Sequence, residues 1–308
     1  MVKTEELIFS LANNLGFDLV GFSEIEILNK EIHSLEKWLS NRFHADMTYM
    51  SHNIEKRKDI REILPEAKSV ISLGVNYFVD NKYSNESDKA KISRYAWGED
   101  YHLVLWKMMD ELIIRIKNEI PEFIAKSYVD TGPVMDKVWA VKSGLGWMGK
   151  NSNIINKKNG SYFFIGNIIN NLPLKSSKLV KNFCGSCNAC IKACPTNAIV
   201  KNFVVDANKC ISYLTIENKG EISSEFKGKF NNWIFGCDIC QEVCPWNIKF
   251  AVKSHHREFS EHFNRELDLN SVENMNDEEF KIKFEKSPIK RTKLSGLKRN
   301  KKFLIEEK

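Results

Sequence analysis

Eight cysteines, all between residues 184 and 244, are the residues of this 308-residue chain best placed to do chemistry. The first run is Cys184-x2-Cys187-x2-Cys190-x3-Cys194-Pro195, and the second is Cys237-x2-Cys240-x3-Cys244-Pro245, with Cys210 before it. Thiolates are soft ligands that suit iron–sulfur clusters and zinc. The first spacing is that of bacterial two-cluster ferredoxins, in which the fourth cysteine ligates the other cluster.

That crossing rule predicts two [4Fe–4S] clusters and uses every cysteine. Cluster 1 takes Cys184, Cys187, Cys190 and Cys244; cluster 2 takes Cys194, Cys210, Cys237 and Cys240. Two zinc sites of four thiolates are the main alternative, although zinc motifs rarely repeat this spacing. Disulfides are disfavoured in a cytosolic chain. Two neighbouring clusters indicate electron delivery to a site elsewhere in the chain.

The elements that position such a site precede the cysteines. Apolar positions recur at helical spacing over residues 4–15 and 100–120, and β-rich runs at 69–75 and 124–129 predict strands. A further helix is expected over 134–143, and further strands over 152–155 and 161–169. The pattern predicts an α+β or α/β fold with three segments: an N-terminal α/β domain (1–178), a ferredoxin-like two-cluster domain (179–250) and a basic helical or tail segment (251–308).

Asp130 is the N-terminal residue best placed to act as an acid. It follows a predicted strand and precedes a Gly-Pro turn, and ligands bind at strand ends in α/β sheets. From the residues alone, a cap or turn is the more typical role of an aspartate at such a position. The turn Gly144-Leu145-Gly146-Trp147 lacks the residue order of a dinucleotide-binding loop, so it is weak evidence for a nucleotide.

Charge is concentrated at the C-terminus. Net charge is +6, and residues 286–308 contain nine basic and two acidic side chains, so the remainder is about neutral. A basic segment suits a polyanion such as RNA, but a solvated lysine-rich terminus is as good an interpretation. No apolar run is long enough to cross a membrane, and no signal peptide is evident, so we expect a cytoplasmic protein.

Together these segments resemble the epoxyqueuosine reductase family, the cobalamin-dependent iron–sulfur enzymes of the queuosine tRNA pathway. The likeness covers about residues 1–300. The ferredoxin run is common to many proteins, whereas the other segments are more specific. They are Ile54–Arg57, Arg94–His102, Val129–Pro133, Gly144–Asn151, Gly160–Phe164, Cys210–Glu217 and Cys237–Asn247.

The resemblance implies base-off cobalamin between the N-terminal domain and the cluster segment. Asp130 would be the proton donor. The corrin would be lined by the positions Arg57, Ser93, Asp130, Ile154, Ile165 and Ser212. The two isoleucines could equally be strand core. Electrons from an external low-potential donor would pass through the clusters to the corrin, and an epoxide would be reduced to an alkene.

The resemblance also implies a tRNA carrying epoxyqueuosine as the substrate. Lys290, Arg291, Lys298 and Arg299 would face it. Some family members continue into HEAT-like helical repeats, and this chain resembles the short form without them. Nothing in the sequence requires more than a monomer. The alternatives are another cobalamin and iron–sulfur reductase of the reductive dehalogenase kind, an electron-transfer protein without its own substrate, or an RNA-binding protein with structural clusters.

Overall fold

The computed structural model describes residues 3–261 and 264–306. Its helices are α1 (Thr4–Asn14), α2 (Asn29–Ser40), α3 (Ile54–Lys58), α4 (Tyr101–Glu119), α5 (Asp136–Lys142), α6 (Ala189–Ala193), α7 (Ile211–Ile216), α8 (Ile239–Glu242), α9 (Pro245–Phe250), α10 (Arg257–Ser260), α11 (Leu269–Asn274), α12 (Asp277–Phe284) and α13 (Lys293–Ile305). Its strands are β1 (Leu19–Glu24), β2 (Ser69–Asn76), β3 (Lys89–Ile92), β4 (Ala125–Tyr128), β5 (Trp147–Met148), β6 (Ile154–Ile155), β7 (Phe163–Asn170), β8 (Ile199–Lys201), β9 (Val204–Val205), β10 (Trp233–Phe235) and β11 (Glu266–Asp268).

The main sheet has the strand order β1-β2-β7-β4, and every neighbouring pair is antiparallel. Leu19 of β1 lies opposite Gly74 of β2, and Ser69 of β2 lies opposite Asn170 of β7. The predicted mixed helix and strand class is confirmed. The alternation of helices and strands along the sequence did not predict that the strands pair antiparallel. The connection from β1 to β2 begins and ends at the same end of the sheet, which makes the two strands antiparallel.

Helices cover both faces of this sheet, which is why all eight residues of β2 are buried. On one face, Ile71, Leu73 and Val75 pack with α1 and α4. On the other, Val70 and Ile169 pack with α2 and α5, which carries Trp139. The burial of alternate side chains on opposite faces follows from the period of two in a strand.

A buried polar chain runs beneath α5. Ser72 Oγ donates to Asn167 Oδ1 at 2.6 Å, and Asn167 Nδ2 donates to Asp136 Oδ1 at 2.7 Å. Buried polar groups are stable when they are hydrogen-bonded to each other in this way. These hydrogen bonds therefore hold Asp136, the first residue of α5, at a defined position relative to the sheet.

The predicted basic tail is a packed helix. In α13, Leu294, Leu297, Phe303 and Leu304 are buried in a core shared with β3 and β10. Strand β3 pairs with both β10 and β11, so this core combines residues from all three predicted segments. The segment boundaries stay a prediction. Glu307 and Lys308 of the basic stretch lie outside the described residues.

The glycine-rich turn after α5 ends the helix and lets β5 pack closely against β6. Gly144 ends the helix with φ +74°, a value that side chains disfavour. A Cβ at Gly146 would lie 2.2 Å from the carbonyl oxygen of Ile155, so only glycine allows β5 to approach β6 this closely. Among the described residues, no helix has the length and apolar character needed to cross a bilayer.

Candidate cofactor and active site

The eight thiols are free of disulfides and lie in two groups. The outer group holds Cys190, which interacts electrostatically with Cys184, Cys187 and Cys244. These are the four residues that the crossing rule places on cluster 1, and they are contributed by the chain before α6, by α6 itself and by the residue before α9.

The inner group contains Cys194, Cys210, Cys237 and Cys240. Cys210 interacts with Cys194, and Cys237 interacts with Cys240 and Cys210. Burial raises the pKa of the Cys240 thiol to about 12. Burial also raises the pKa values of the Cys210 and Cys237 thiols. Converging thiols gain from a cation that stabilises their thiolates, so this group fits a metal cluster.

The outer group surrounds a cavity of about 170 Å³ that opens towards the surface. Cys184, Cys187, Cys190 and Cys244 line it together with Phe183 and Trp246. Lys150 fixes the loop around it, because its Nζ donates to the carbonyl oxygens of Gly185 (2.8 Å) and Cys187 (2.7 Å). The residues therefore form a space bounded by four thiols, as a cluster requires.

Asp130 lies just after β4, with a left-handed backbone (φ +55°) and an exposed side chain. Tyr101 Oη donates to its carboxylate at 2.8 Å. Tyr101 is the first residue of α4 and stacks on Phe164 at a centroid distance of 4.4 Å. Burial, then the charge of Asp130, raises the pKa of Tyr101, so its hydroxyl stays protonated and continues to donate. Tyr101 lies in the Arg94–His102 segment, where no sequence pattern indicated a role for it.

Asp136 is a second acid that sequence analysis missed. Burial and then the nearby charge of Asp130 raise its pKa to about 7, although Asn167 donates to it. Lys137 follows it on α5. Its side chain is accessible to water, yet desolvation by the surrounding protein lowers its pKa. We call the region that Lys137 shares with Asp130 and Asp136 the cleft. Lys137 interacts with Asp130 and with the inner thiols of Cys240 and Cys210. Lys137 therefore lies between Asp130 and the inner group of thiols.

Arg57 faces this cleft from α3. It is half-buried, burial lowers its pKa, and the charge of Asp136 opposes that effect. Its Nε donates to the carbonyl oxygen of His52 at 3.3 Å. Thus Arg57, Asp130 and Asp136 are brought to one region from three separate parts of the chain.

The other predicted corrin positions lie in different surroundings. Ser93 is buried and its hydroxyl donates to Asp238, next to Cys237. Ile154 is buried among Leu145 and Phe163, and Ile165 packs against the same cluster. Ser212 is half-buried in the first turn of α7, two residues after Cys210. Their corrin contacts stay predictions.

The four predicted tRNA positions differ in their exposure and in how far their side chains are already paired within the protein. Lys290 pairs with Asp100 at 2.8 Å, and Lys298 is half-buried on α13. Arg299 is used internally: its guanidinium donates to the carbonyl oxygens of Leu214, Asn218 and Gly220. Arg291 forms a two-pronged ion pair with Glu217, at 2.8 and 3.0 Å, and remains 57% exposed.

Arg291 also lies at the mouth of the cleft. It interacts electrostatically with Asp130 and Tyr49 as well as with its partner Glu217. Tyr49, Asp130, Glu217 and Arg291 come from four separate segments, and we call them the rim. These four residues lie near the half-buried acid Asp136, and Lys137 links the region to the inner thiols.

Two family models match the chain. One, described as epoxyqueuosine reductase QueG, DUF1730, covers residues 57–131, and the other, a 4Fe-4S double cluster binding domain, covers residues 183–247. The second match agrees with the grouping of the thiols. The chain is 48% identical to an epoxyqueuosine reductase from Leadbetterella byssophila, over 96% of this chain and 97% of that one. It is 47% identical to one from Cellulophaga algicola, over 98% of both chains.

Solved structures agree with these relatives. A crystal structure of epoxyqueuosine reductase with an epoxyqueuosine-modified tRNA-Tyr stem loop matches with a TM-score of 0.91 and 29% identity, over 98% of this chain and 80% of that chain. The Bacillus subtilis enzyme, in a structure whose catalytic aspartate loop is swung out of the active site, matches with a TM-score of 0.90 and 28% identity, over 98% and 81%. The chain belongs to the epoxyqueuosine reductase family.

Proposed function

We propose that this chain reduces epoxyqueuosine in tRNA to queuosine, with Asp130 as the proton donor. Its family membership makes it an oxidoreductase with two [4Fe–4S] clusters and cobalamin as cofactors. Cobalamin, when bound, supplies the reducing chemistry at the epoxide, and the clusters supply its electrons. The observation that carries the proposal is the cleft in which Asp130, Tyr101 and Asp136 lie next to the inner group of thiols.

The reaction requires two electrons and two protons. Both carbon–oxygen bonds of the epoxide break, a carbon–carbon double bond forms, and the oxygen leaves as water. A carboxylic acid that protonates the departing oxygen avoids the formation of a free alkoxide. Asp130 can do this because its carboxyl group is exposed at the mouth and can be reprotonated from solvent.

Tyr101 positions the acid. Its hydrogen bond to Asp130 holds the carboxyl group, and its stacking on Phe164 fixes the ring. Asp136, with a pKa of about 7, carries a proton near neutral pH in the same region and is a source for the second one. Arg57 lies near Asp136, and Lys137 lies near both Asp130 and Asp136, so their positive charge stabilises each carboxylate that forms after its proton is given up.

The tRNA would approach the rim. Arg291 is the best-placed of the four basic positions to bind phosphate, because it is exposed and lies beside Asp130. A phosphate could replace Glu217 as its partner, since guanidinium binds both groups in the same two-pronged geometry. A monomeric state, a cytosolic location and an external low-potential donor are further parts of this proposal.

The test is anaerobic reconstitution with iron, sulfide and cobalamin, followed by nucleoside analysis of tRNA that carries epoxyqueuosine. We expect about eight irons per chain, since each of the two clusters holds four, together with bound corrin and conversion to queuosine. A protein that binds corrin and both clusters but leaves epoxyqueuosine unchanged would contradict the proposal. A protein that binds no corrin would favour an electron-transfer role without a substrate of its own.

A further inference from the structure

Lysines surround the outer group of thiols, and the sequence around most of that group has no acidic residue. Residues 137–205 contain no aspartate or glutamate. The same stretch contains the ten lysines Lys137, Lys142, Lys150, Lys157, Lys158, Lys175, Lys178, Lys181, Lys192 and Lys201. The second cysteine run adds Asp238, which is fully buried, and Glu242, which pairs with Arg94. Lys142 pairs with Glu26 and Glu31, but the chain segments that carry the outer group are positively charged.

Several of these lysines border the outer cavity. Lys157 lies over the ring of Phe183 at 3.9 Å, and Phe183 lines the cavity. Lys249 lies 5.3 Å from the ring of Phe250, which stacks on Trp246, another lining residue. Lys181 and Lys192 are exposed and lie within three residues of Cys184 and Cys190.

The chain segments that carry the outer group also have exposed apolar side chains. Leu179 is 65% exposed, Ile248 is 73% exposed, and Phe183 is 39% exposed. Cys187 is also exposed, whereas the inner thiols of Cys237 and Cys240 are less accessible. We call the three apolar residues, Cys187, and the surrounding Lys157, Lys181, Lys192 and Lys249 the outer cluster face. An apolar centre with a charged border is the usual anatomy of a protein interface.

The thiols also define an order from this face to the substrate site. Cys240 of the inner group interacts electrostatically with Cys190 of the outer group. On its other side, Cys240 interacts with Lys137, which in turn interacts with Asp130. An electron that enters at the outer cluster face therefore reaches the inner cluster before it reaches the cleft.

We infer that the outer cluster face is the docking site of an acidic electron-carrier protein, which reduces cluster 1 first. Small redox proteins form weak, small interfaces, and opposite charges speed up their encounter with a partner. RNA is the less favoured occupant, because its modified base has to reach Asp130 at the opposite end of the path. The inference rests on the proposed function only in that the reaction needs external electrons.

The experiment measures reduction of the reconstituted holoenzyme by a reduced plant-type [2Fe–2S] ferredoxin, an acidic carrier. Loss of visible cluster absorbance is followed by anaerobic stopped flow. We expect the triple variant Lys157→Glu, Lys181→Glu, Lys249→Glu to lower the second-order rate constant about tenfold or more at low ionic strength. The difference from wild type should shrink as salt is added, because salt screens exposed charges.

The matched control is Lys30→Glu, Lys68→Glu, Lys117→Glu, which reverses three exposed lysines away from the thiols. It should change the ferredoxin rate less than about twofold, because its charges lie outside the docking face. Reduction of both triple variants by dithionite, a small reductant, should match wild type. Turnover of tRNA by dithionite-reduced enzyme should also be unchanged, which separates a failure of docking from a failure of the proposed reaction.

The inference would be overturned if ferredoxin reduced the wild-type enzyme no faster than the Lys157, Lys181 and Lys249 variant. If that variant instead bound tRNA about tenfold more weakly and kept its ferredoxin rate, the face would belong to RNA.

Discussion

The two thiol groups have the same ligand chemistry but very different surroundings. The outer group lines a cavity near the surface, with the exposed Cys187 at its edge and lysines around it. The inner group lies at the end of α6 and at the starts of α7 and α8, and burial raises the pKa of Cys240 to about 12. The difference indicates separate tasks: the outer cluster exchanges electrons with a partner, and the inner one delivers them to a protected cleft.

The largest expected effect comes from removing one thiol from each group. Cys240→Ser should lose the inner cluster and all turnover, whichever reductant is used, because the path to the cleft is broken. Cys187→Ser should lose the outer cluster but keep turnover driven by dithionite. Iron content, electron paramagnetic resonance of the reduced protein and tRNA nucleoside analysis measure these outcomes. Equal losses in both variants would remove the distinction between the groups.

The next effect concerns the acid at the mouth of the cleft. Asp130→Ala should lower turnover about 10²–10⁴-fold while iron and corrin contents remain normal, because general acid catalysis contributes that much. Tyr101→Phe should lower turnover only about tenfold, since it removes one hydrogen bond to a charged group. Single-turnover assays with reduced enzyme measure both. Turnover like that of wild type in Asp130→Ala would exclude Asp130 as the proton donor.

A third comparison separates binding from stability among the basic residues. Arg299→Ala should lower the free energy of unfolding by about 2–4 kcal/mol, because it leaves several carbonyl groups without donors. Arg291→Ala should change stability by less than about 1 kcal/mol, because its ion pair is exposed. It should instead weaken tRNA binding several-fold and reduce the salt slope by about 1. Denaturant unfolding and tRNA titrations at several salt concentrations distinguish the two; reversed results would exchange their roles.

The smallest effect is the pH dependence that Asp136 contributes. Its pKa is raised from 3.8 to about 7 on folding, so the folded state binds the proton more tightly than the unfolded state. Its contribution to stability is present below about pH 4 and is lost as pH rises towards about 7 and above. The wild type should lose about 1–3 kcal/mol relative to Asp136→Asn between about pH 5 and pH 8. Thermal unfolding of cluster-loaded, corrin-free protein at both pH values measures this; parallel curves would contradict it.

The elements with strong periodicity were predictable from the sequence. Helix α4 lies within a residue of its predicted bounds, because its buried side chains recur at helical spacing. Strand β2 also lies within a residue of its predicted bounds, because its continuous β-rich run is buried throughout. The basic C-terminal stretch was harder to interpret. Its charges suggested a tail, but apolar residues at helical spacing, including Leu297 and Leu304, pack α13 into the core.

By itself, the sequence determined the ligand chemistry: the number and spacing of the cysteines indicate two clusters with one crossed ligand each, because that spacing is local. It also placed Asp130 at the end of a strand. Only the tertiary structure brought Tyr101 and Asp136 to Asp130, and set Arg291 at the rim while using Arg299 internally. These relationships join residues far apart in the chain, and they depend on packing that no local pattern encodes.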